Sequence, residues 1–144
     1  HGTVVESLQD GRTRYGYRLV PSQAGRRSCY VYPAAVERVV DGDTIWVWLD
    51  LGFGDLARQN LRLRGIDAPE MSTPEGKRCR RFVMDALAEC ERIVVSTSRP
   101  DKYGRYLADV FYLPGEHDAE SIRAHGRFLN QQLLDVGLAK RYHD

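Results

Sequence analysis

Apolar residues recur along this chain in two rhythms, and each change of rhythm marks a change of element. Between residues 14 and 20 alternate positions carry Tyr15, Tyr17 and Leu19, the period-two pattern of a half-buried strand. Residues 21–25 read as a turn, and residues 29–32 as a short strand that Pro33 should stop, because proline has no N–H for a ladder. Residues 36–40 run into Asp41-Gly42, a strong hairpin signal, with residues 45–49 as the returning strand. Residues 50–60, containing Gly52 and Gly54, read as a loop that leads to a strand over 61–66. Strands at 93–97 and 106–112 complete the β pattern.

The helical rhythm begins at Thr73, a good N-cap with Pro74 at the first helical position. Cys79, Phe82, Val83, Ala86, Leu87 and Cys90 then fall on one stripe, with Lys77, Arg78, Arg80 and Arg81 mostly off it. Residues 128–136 predict a second helix, ended by Gly137. Residues 114–126 are polar and read as a surface excursion. One helix between the third and fourth strands and another after the fifth is the layout of an OB-like barrel. The expected class is mainly β with helices (α+β): a five-stranded OB-fold barrel with packed helices, formed by residues 30–144. Residues 1–29 would be an N-terminal extension of strands packed on the barrel.

Composition adjusts this picture little. A chain of 144 residues fits one domain and needs no stapling disulfides. No apolar run approaches the ~20 residues of a membrane span, and residues 1–11 lack the basic start and apolar core of a signal peptide. Cys79 and Cys90 are 11 positions apart, about 16 Å along a helix and beyond disulfide reach. With Cys29 they read as free thiols, which favours a reducing, cytoplasmic setting, with a secreted protein whose signal has been removed as the alternative. A monomer without a membrane partner is expected. Net charge is +1, so global charge does not announce a nucleic-acid partner, although basic residues gather between Arg62 and Arg105.

Three short stretches carry candidate chemistry: Asp41-Gly42-Asp43-Thr44, then Arg62 to Asp67-Ala68-Pro69-Glu70, then Asp101-Lys102-Tyr103-Gly104-Arg105. Singly, each has a plain reading as a turn, a connector or a solvated arginine. Asp43 is harder to dismiss, since a hairpin turn does not demand a second aspartate. Pro69 holds Ala68 extended, which aims the Ala68 carbonyl outward. Two carboxylates, one carbonyl and water make the hard-oxygen set that Ca²⁺ accepts. His1, His117, His125 and His143 are scattered and read as surface residues, so nothing here suits zinc. A planar guanidinium holds phosphate bidentately, and Arg62 and Arg105 are two such groups.

In this order, and with Asn130 and Gly137-Leu138-Ala139 following, the motifs resemble the staphylococcal nuclease (thermonuclease) family over residues 30–142. The resemblance implies an OB-fold that binds one Ca²⁺ through the Asp43 and Asp67 side chains and the Ala68 carbonyl, with Asp41 and Thr44 in support. It implies Glu70 as general base for water and Arg62 and Arg105 as phosphate-binding groups, with Lys102 and Tyr103 near the terminal phosphate of a bound nucleotide. The implied activity is endonucleolytic hydrolysis of DNA and/or RNA at the 5′ P–O bond, leaving 3′-phosphates. The alternative is a non-catalytic nuclease-like module that binds nucleic acid or a protein, within a longer chain or alone. The hairpin over 50–60 is longer than in the family prototype, the connector over 71–76 is shorter, 114–126 is inserted, and Tyr142 is out of register with a base-stacking tyrosine. The family's last helix would begin where this chain stops, and a whole protein and one domain of a longer protein both stay open.

Overall fold

The computed structural model describes residues 19–21, 28–100 and 104–143, with side chains from 30 to 98 and from 104 to 143. The expected strand at 14–18, the turn at 22–25, the Cys29 side chain, Lys102 and Tyr103 lie outside the described residues. β2 (Ser28–Asp41), β3 (Thr44–Gly52) and β4 (Asp55–Leu63) form an antiparallel meander. β7 (Tyr106–Tyr112) lies parallel to β4, and β6 (Ile93–Pro100) pairs with both β7 and β2, which closes a five-stranded barrel. β1 (Leu19–Pro21) adds to the outside of β2, pairing Leu19 with Tyr30. The architecture is the expected α+β OB-fold.

Four local expectations change. Pro33 does not stop a strand: β2 runs through it as one element. Pro33 sits where β2 hands over from β6 to β3, with Pro33 opposite Val94 and Ala34 the first residue facing β3, so the missing N–H falls at the seam between ladders. Residues 50–60 are no loop but the far end of the β3–β4 hairpin, whose register extends to Asp50 opposite Leu56 and Gly52 opposite Asp55. The strand expected over 61–66 breaks at Arg64-Gly65, where Gly65 takes a positive φ of 80°, and resumes as β5 (Ile66–Asp67). The excursion at 114–126 holds a helix, α2 (Ala119–His125), capped by the Asp118 carboxylate on the Ser121 N–H, and its Ile122 is fully buried.

Alternation fills the barrel. Ile45, Val47 and Leu49 from β3, Leu61 and Leu63 from β4, Ile93 and Val95 from β6, and Ala108 and Val110 from β7 share one core. Helix α1 (Pro74–Leu87) adds Cys79, Val83 and Leu87. It ends before Cys90, which is nonetheless buried. α3 (Leu129–Asp135) follows β8 (Arg127–Phe128) and contributes Leu129 and Leu133. Gly137 follows it as expected, and β9 (Lys140–Arg141) then pairs back to β5.

Asn130 ties α3 to the barrel and to the turn behind the site. Its Oδ1 accepts from the Val110 N–H at 3.0 Å, and its Nδ2 donates to the Arg64 and Ala108 carbonyls at 2.9 and 3.0 Å. Alanine here would take a partner from three backbone groups, of which the Ala108 carbonyl keeps the Arg64 N–H, in a site only 3% exposed. We expect Asn130→Ala to cost about 3 kcal/mol in denaturant unfolding; a loss below about 0.5 kcal/mol would show that water replaces the amide.

Candidate active site

The acidic end of the site is built by the β2–β3 turn. The Asp43 N–H donates to Asp41 Oδ1 at 3.1 Å, a local turn that sends the Asp43 side chain inward. Both carboxylate oxygens of Asp43 are engaged: Oδ1 accepts from the Thr44 hydroxyl at 3.0 Å, and Oδ2 from the Ala68 N–H at 2.9 Å. Asp43 is thereby fastened to the Asp67-Ala68 segment, 25 residues away. Burial, followed by the neighbouring Asp43 carboxylate, pushes the Asp41 carboxyl up to about 6. Negative charge is therefore crowded in this turn.

Arg62 lies opposite Thr44 in the β3–β4 register, so the hairpin sets it beside Asp43. Its Nη2 donates to the Ile66 carbonyl at 3.0 Å and lies 3.7 Å from Asp43 Oδ2 and 3.6 Å from Asp67 Oδ1. One guanidinium nitrogen thus bridges the two carboxylates. Its Cζ stands 5.0 Å from the centre of the Tyr142 ring, a cation–π contact. Tyr142 is brought there by β9, with its N–H bonded to the Gly65 carbonyl at 2.9 Å. Arg105 approaches from the other side, its Nη1 donating to Thr44 Oγ1 at 3.4 Å. Asp43, Thr44, Arg62, Asp67, Ala68 and Arg105 are therefore connected by direct contacts, with Asp41 behind them.

Glu70 follows Pro69 on an exposed segment, and its side chain makes no hydrogen bond or ion pair with a described residue. Its main chain, by contrast, is gripped by the start of α1. The Glu70 carbonyl accepts from the Thr73 N–H at 2.9 Å and from Thr73 Oγ1 at 2.6 Å, and Thr73 Oγ1 in turn accepts from the Gly76 N–H at 3.0 Å. Two glycines permit this packing. A Cβ on Gly76 would lie 2.0 Å from the Glu70 carbonyl oxygen, and one on Gly42 would lie 2.2 Å from Cys79 Sγ. Helix α1 thus presses on both acidic segments, on Asp41–Asp43 through Cys79 and on Pro69-Glu70 through Gly76. Sequence reading missed both contacts. The available signal was a glycine inside the first turn of an otherwise ordinary helix, where it costs about 1 kcal/mol without a packing reason. The ion pair of Arg64 with Asp109 was also missed; burial raises the Asp109 carboxyl, and Arg64 opposes that.

Burial, then the Asp43 and Asp41 charges, pushes the Cys79 thiol up to about 11, and burial also raises Cys90. At pH 8 the thiolate fraction of Cys79 is then on the order of one in a thousand. Iodoacetamide should leave both thiols intact in folded protein and label them on denaturation, as peptide mass spectrometry would read. Native labelling within minutes would contradict the packing of Cys79.

No three His, Cys, Asp or Glu residues gather as a ligand cluster among the described residues. What the site does offer a cation is oxygen only: Asp43, Asp67 and nearby carbonyls, with water required for the remainder. Such a donor set suits a hard cation and not a thiolate- or imidazole-seeking one.

Comparison with known proteins adds independent information. A family model described as "Staphylococcal nuclease homologue" matches residues 60–144. A micrococcal nuclease of Shigella flexneri is 32% identical over 109 residues, 74% of this chain and 56% of that protein. The staphylococcal-like nuclease CAN1 of Arabidopsis thaliana is 30% identical over 83 residues, 57% of this chain and 21% of that protein. An uncharacterized 38.1 kDa protein of Capnoides sempervirens is 33% identical over 89 residues, 60% of this chain. The chain spans about a fifth of the length of the plant relatives it matches.

Proposed function

Because the chain belongs to the family of staphylococcal nuclease homologues, we propose that it is a calcium-dependent endonuclease that hydrolyses DNA and/or RNA at the 5′ P–O bond and leaves 3′-phosphates. The observation that carries this reading is the convergence of Asp43, Asp67 and Arg62 on one guanidinium nitrogen, with Arg105 reaching the same turn through Thr44.

In this reading Asp43, Asp67 and the Ala68 carbonyl would hold one Ca²⁺, which when bound polarises a phosphate oxygen as a Lewis acid. Glu70, with its carboxylate unengaged and its main chain clamped, accepts the proton of the water that attacks phosphorus. Arg62 and Arg105 donate to the phosphoryl oxygens as charge builds on the five-coordinate transition state. Cleavage of the P–O bond releases the 5′ oxygen, which takes a proton from solvent to leave as the 5′ hydroxyl, and the phosphate stays on the 3′ side. Tyr142 and the two carboxylates hold the Arg62 plane. Asp41 fixes the Asp43 backbone, and Thr44 links Asp43 to Arg105. Lys102 and Tyr103 would contact the terminal phosphate of a bound nucleotide. As a family domain from a chain that covers only part of its plant relatives, it would act as one module of a longer protein.

The test is incubation with denatured DNA and with RNA, each with Ca²⁺ or with chelator. Ca²⁺-dependent cleavage with 3′-phosphate ends is expected. Binding of either polymer without cleavage would replace the nuclease by a non-catalytic binding module. Asp43→Ala should abolish the Ca²⁺ isotherm in titration calorimetry, since it removes a ligand and the anchor of Ala68 together; an unchanged isotherm would refute the ligand assignment.

A further inference from the structure

The outer face of the β3–β4 hairpin continues the candidate site along the barrel. Thr44 stands opposite Arg62, Trp46 opposite Asn60, and Trp48 opposite Arg58. The intervening residues Ile45, Val47, Leu49 and Leu61 are buried in the core, so these three pairs share the outward face. Each pair is about 7 Å beyond the last. No described helix makes a substantial contact with β3 or β4.

This face is already organised. The Arg58 guanidinium lies 4.0 Å above the Trp46 ring. Glu37 holds it flat there, accepting from Nε at 2.7 Å and from Nη2 at 2.8 Å. The Arg58 side chain keeps 43% exposure, and Trp48 beside it is 40% exposed. Between this stack and Arg62 sits Asn60, whose Oδ1 is shielded from solvent and has no hydrogen-bond partner. An unmet buried acceptor is costly unless something supplies a donor.

We propose that this face is a track for single-stranded polynucleotide leading out of the candidate site, and the inference rests on the reading of that site as a phosphodiesterase. The polynucleotide passes over Asn60 next to the cleaved phosphate. The Arg58 plane and the Trp48 ring each receive a base beyond it. Guanidinium planes and aromatic rings stack on unpaired bases and read no sequence. A duplex keeps its bases stacked inside and offers them nothing. The second and third strands of the barrel form the surface with which OB-folds hold oligonucleotides. Continuity with Arg62 and the planar, cationic Arg58 stack favour this occupant over a protein.

Both tryptophans of the chain lie on this face, so selectively excited tryptophan fluorescence reports on it alone. The protein carrying Glu70→Gln would be titrated, with Ca²⁺, against a ten-nucleotide oligo(dT), a dinucleotide and a ten-base-pair duplex. The ten-mer should quench the fluorescence, the dinucleotide and duplex much less. Trp48→Ala and Arg58→Ala should each cut the affinity advantage of ten-mer over dinucleotide about tenfold, the scale of one lost stacking contact. Trp48→Phe should retain most of it, which separates stacking from a fold defect. Ten-mer binding without quenching, equal quenching by duplex, or a signal that depends on protein concentration alone would overturn the track. Quenching survives as a result even if the unmutated protein cuts nothing, so failure of the nuclease reading and failure of the track are read separately.

Discussion

Replacing Arg62 by alanine should lower single-turnover cleavage at saturating Ca²⁺ by two to three orders of magnitude, since one transition-state donor is worth roughly 3–4 kcal/mol. The geometry adds a second effect. Arg62 Nη2 lies 3.7 and 3.6 Å from Asp43 and Asp67, and the side chain is only 11% exposed. Its removal leaves two carboxylates facing each other, with Asp41 already crowded against Asp43. Asp67 is partly exposed, so solvent screens its share, and we expect about 2 kcal/mol of stability lost in chelator. Ca²⁺ should restore much of that loss and none of the rate. Arg62→Lys should behave oppositely, keeping charge near the carboxylates but not the planar fork that spans a phosphate. Arg105→Ala should lose rate to a similar extent, because it removes the second donor to the phosphoryl oxygens. Cleavage by Arg62→Ala at the unmutated rate would remove Arg62 from the mechanism.

A single methyl group at Gly76 should be nearly as damaging. Its nearest neighbours would be the Glu70 carbonyl oxygen at 2.0 Å, the Glu70 carbonyl carbon at 2.5 Å and the Pro69 carbonyl oxygen at 2.8 Å. All three are main-chain atoms, so no side chain can swing aside. The Glu70 carbonyl is also held by two bonds from Thr73. Either α1 loosens at its cap or the Pro69-Glu70 segment shifts. Overpacking of this kind costs about 1–3 kcal/mol, and a displacement near 1 Å of a group that must meet water can cost about a hundredfold in rate. Gly76→Ala should therefore lower kcat about a hundredfold while Asp43 keeps its Ca²⁺ isotherm. Thr73→Ser keeps the capping hydroxyl and should remain active. Normal kcat in a folded Gly76→Ala protein would show that the position of Glu70 does not depend on the helix.

These two positions mark what sequence reading reaches and where it stops. Arg62 was singled out because the proposed chemistry calls for a guanidinium and the order Asp43, Arg62, Asp67, Glu70, Arg105 limited the alternatives, and the structure sets it beside Asp43 and Asp67. Gly76 was not, because a close approach between a helix and the Glu70 carbonyl before it is a property of space rather than of pattern. The barrel strands were read from alternation, and α1 from its cap and stripe. The boundaries failed where pairing overrode local preference. Pro33 lies at a seam between two ladders, and residues 50–60 were drawn into the hairpin by cross-strand pairs although their glycines and charges suggested a loop. Helix α2 was hidden by the polar residues around a single buried anchor, Ile122. Asn130 carried family resemblance but no sequence clue to its three backbone partners.

The parallel join between β4 and β7 has a further consequence. Leu61 pairs with Tyr106 and Arg62 with Leu107, across a separation that includes all of α1 and β6. Parallel neighbours cannot be made by a tight turn, and such distant pairings form late because the intervening chain must first be ordered. Arg62 and Arg105 therefore meet only when the barrel closes. A chain whose barrel is still open carries every side chain of the proposed mechanism but not their constellation, so in the proposed reading cutting power would arrive only with barrel closure. Topology would then keep the newly made chain from cutting until it is folded.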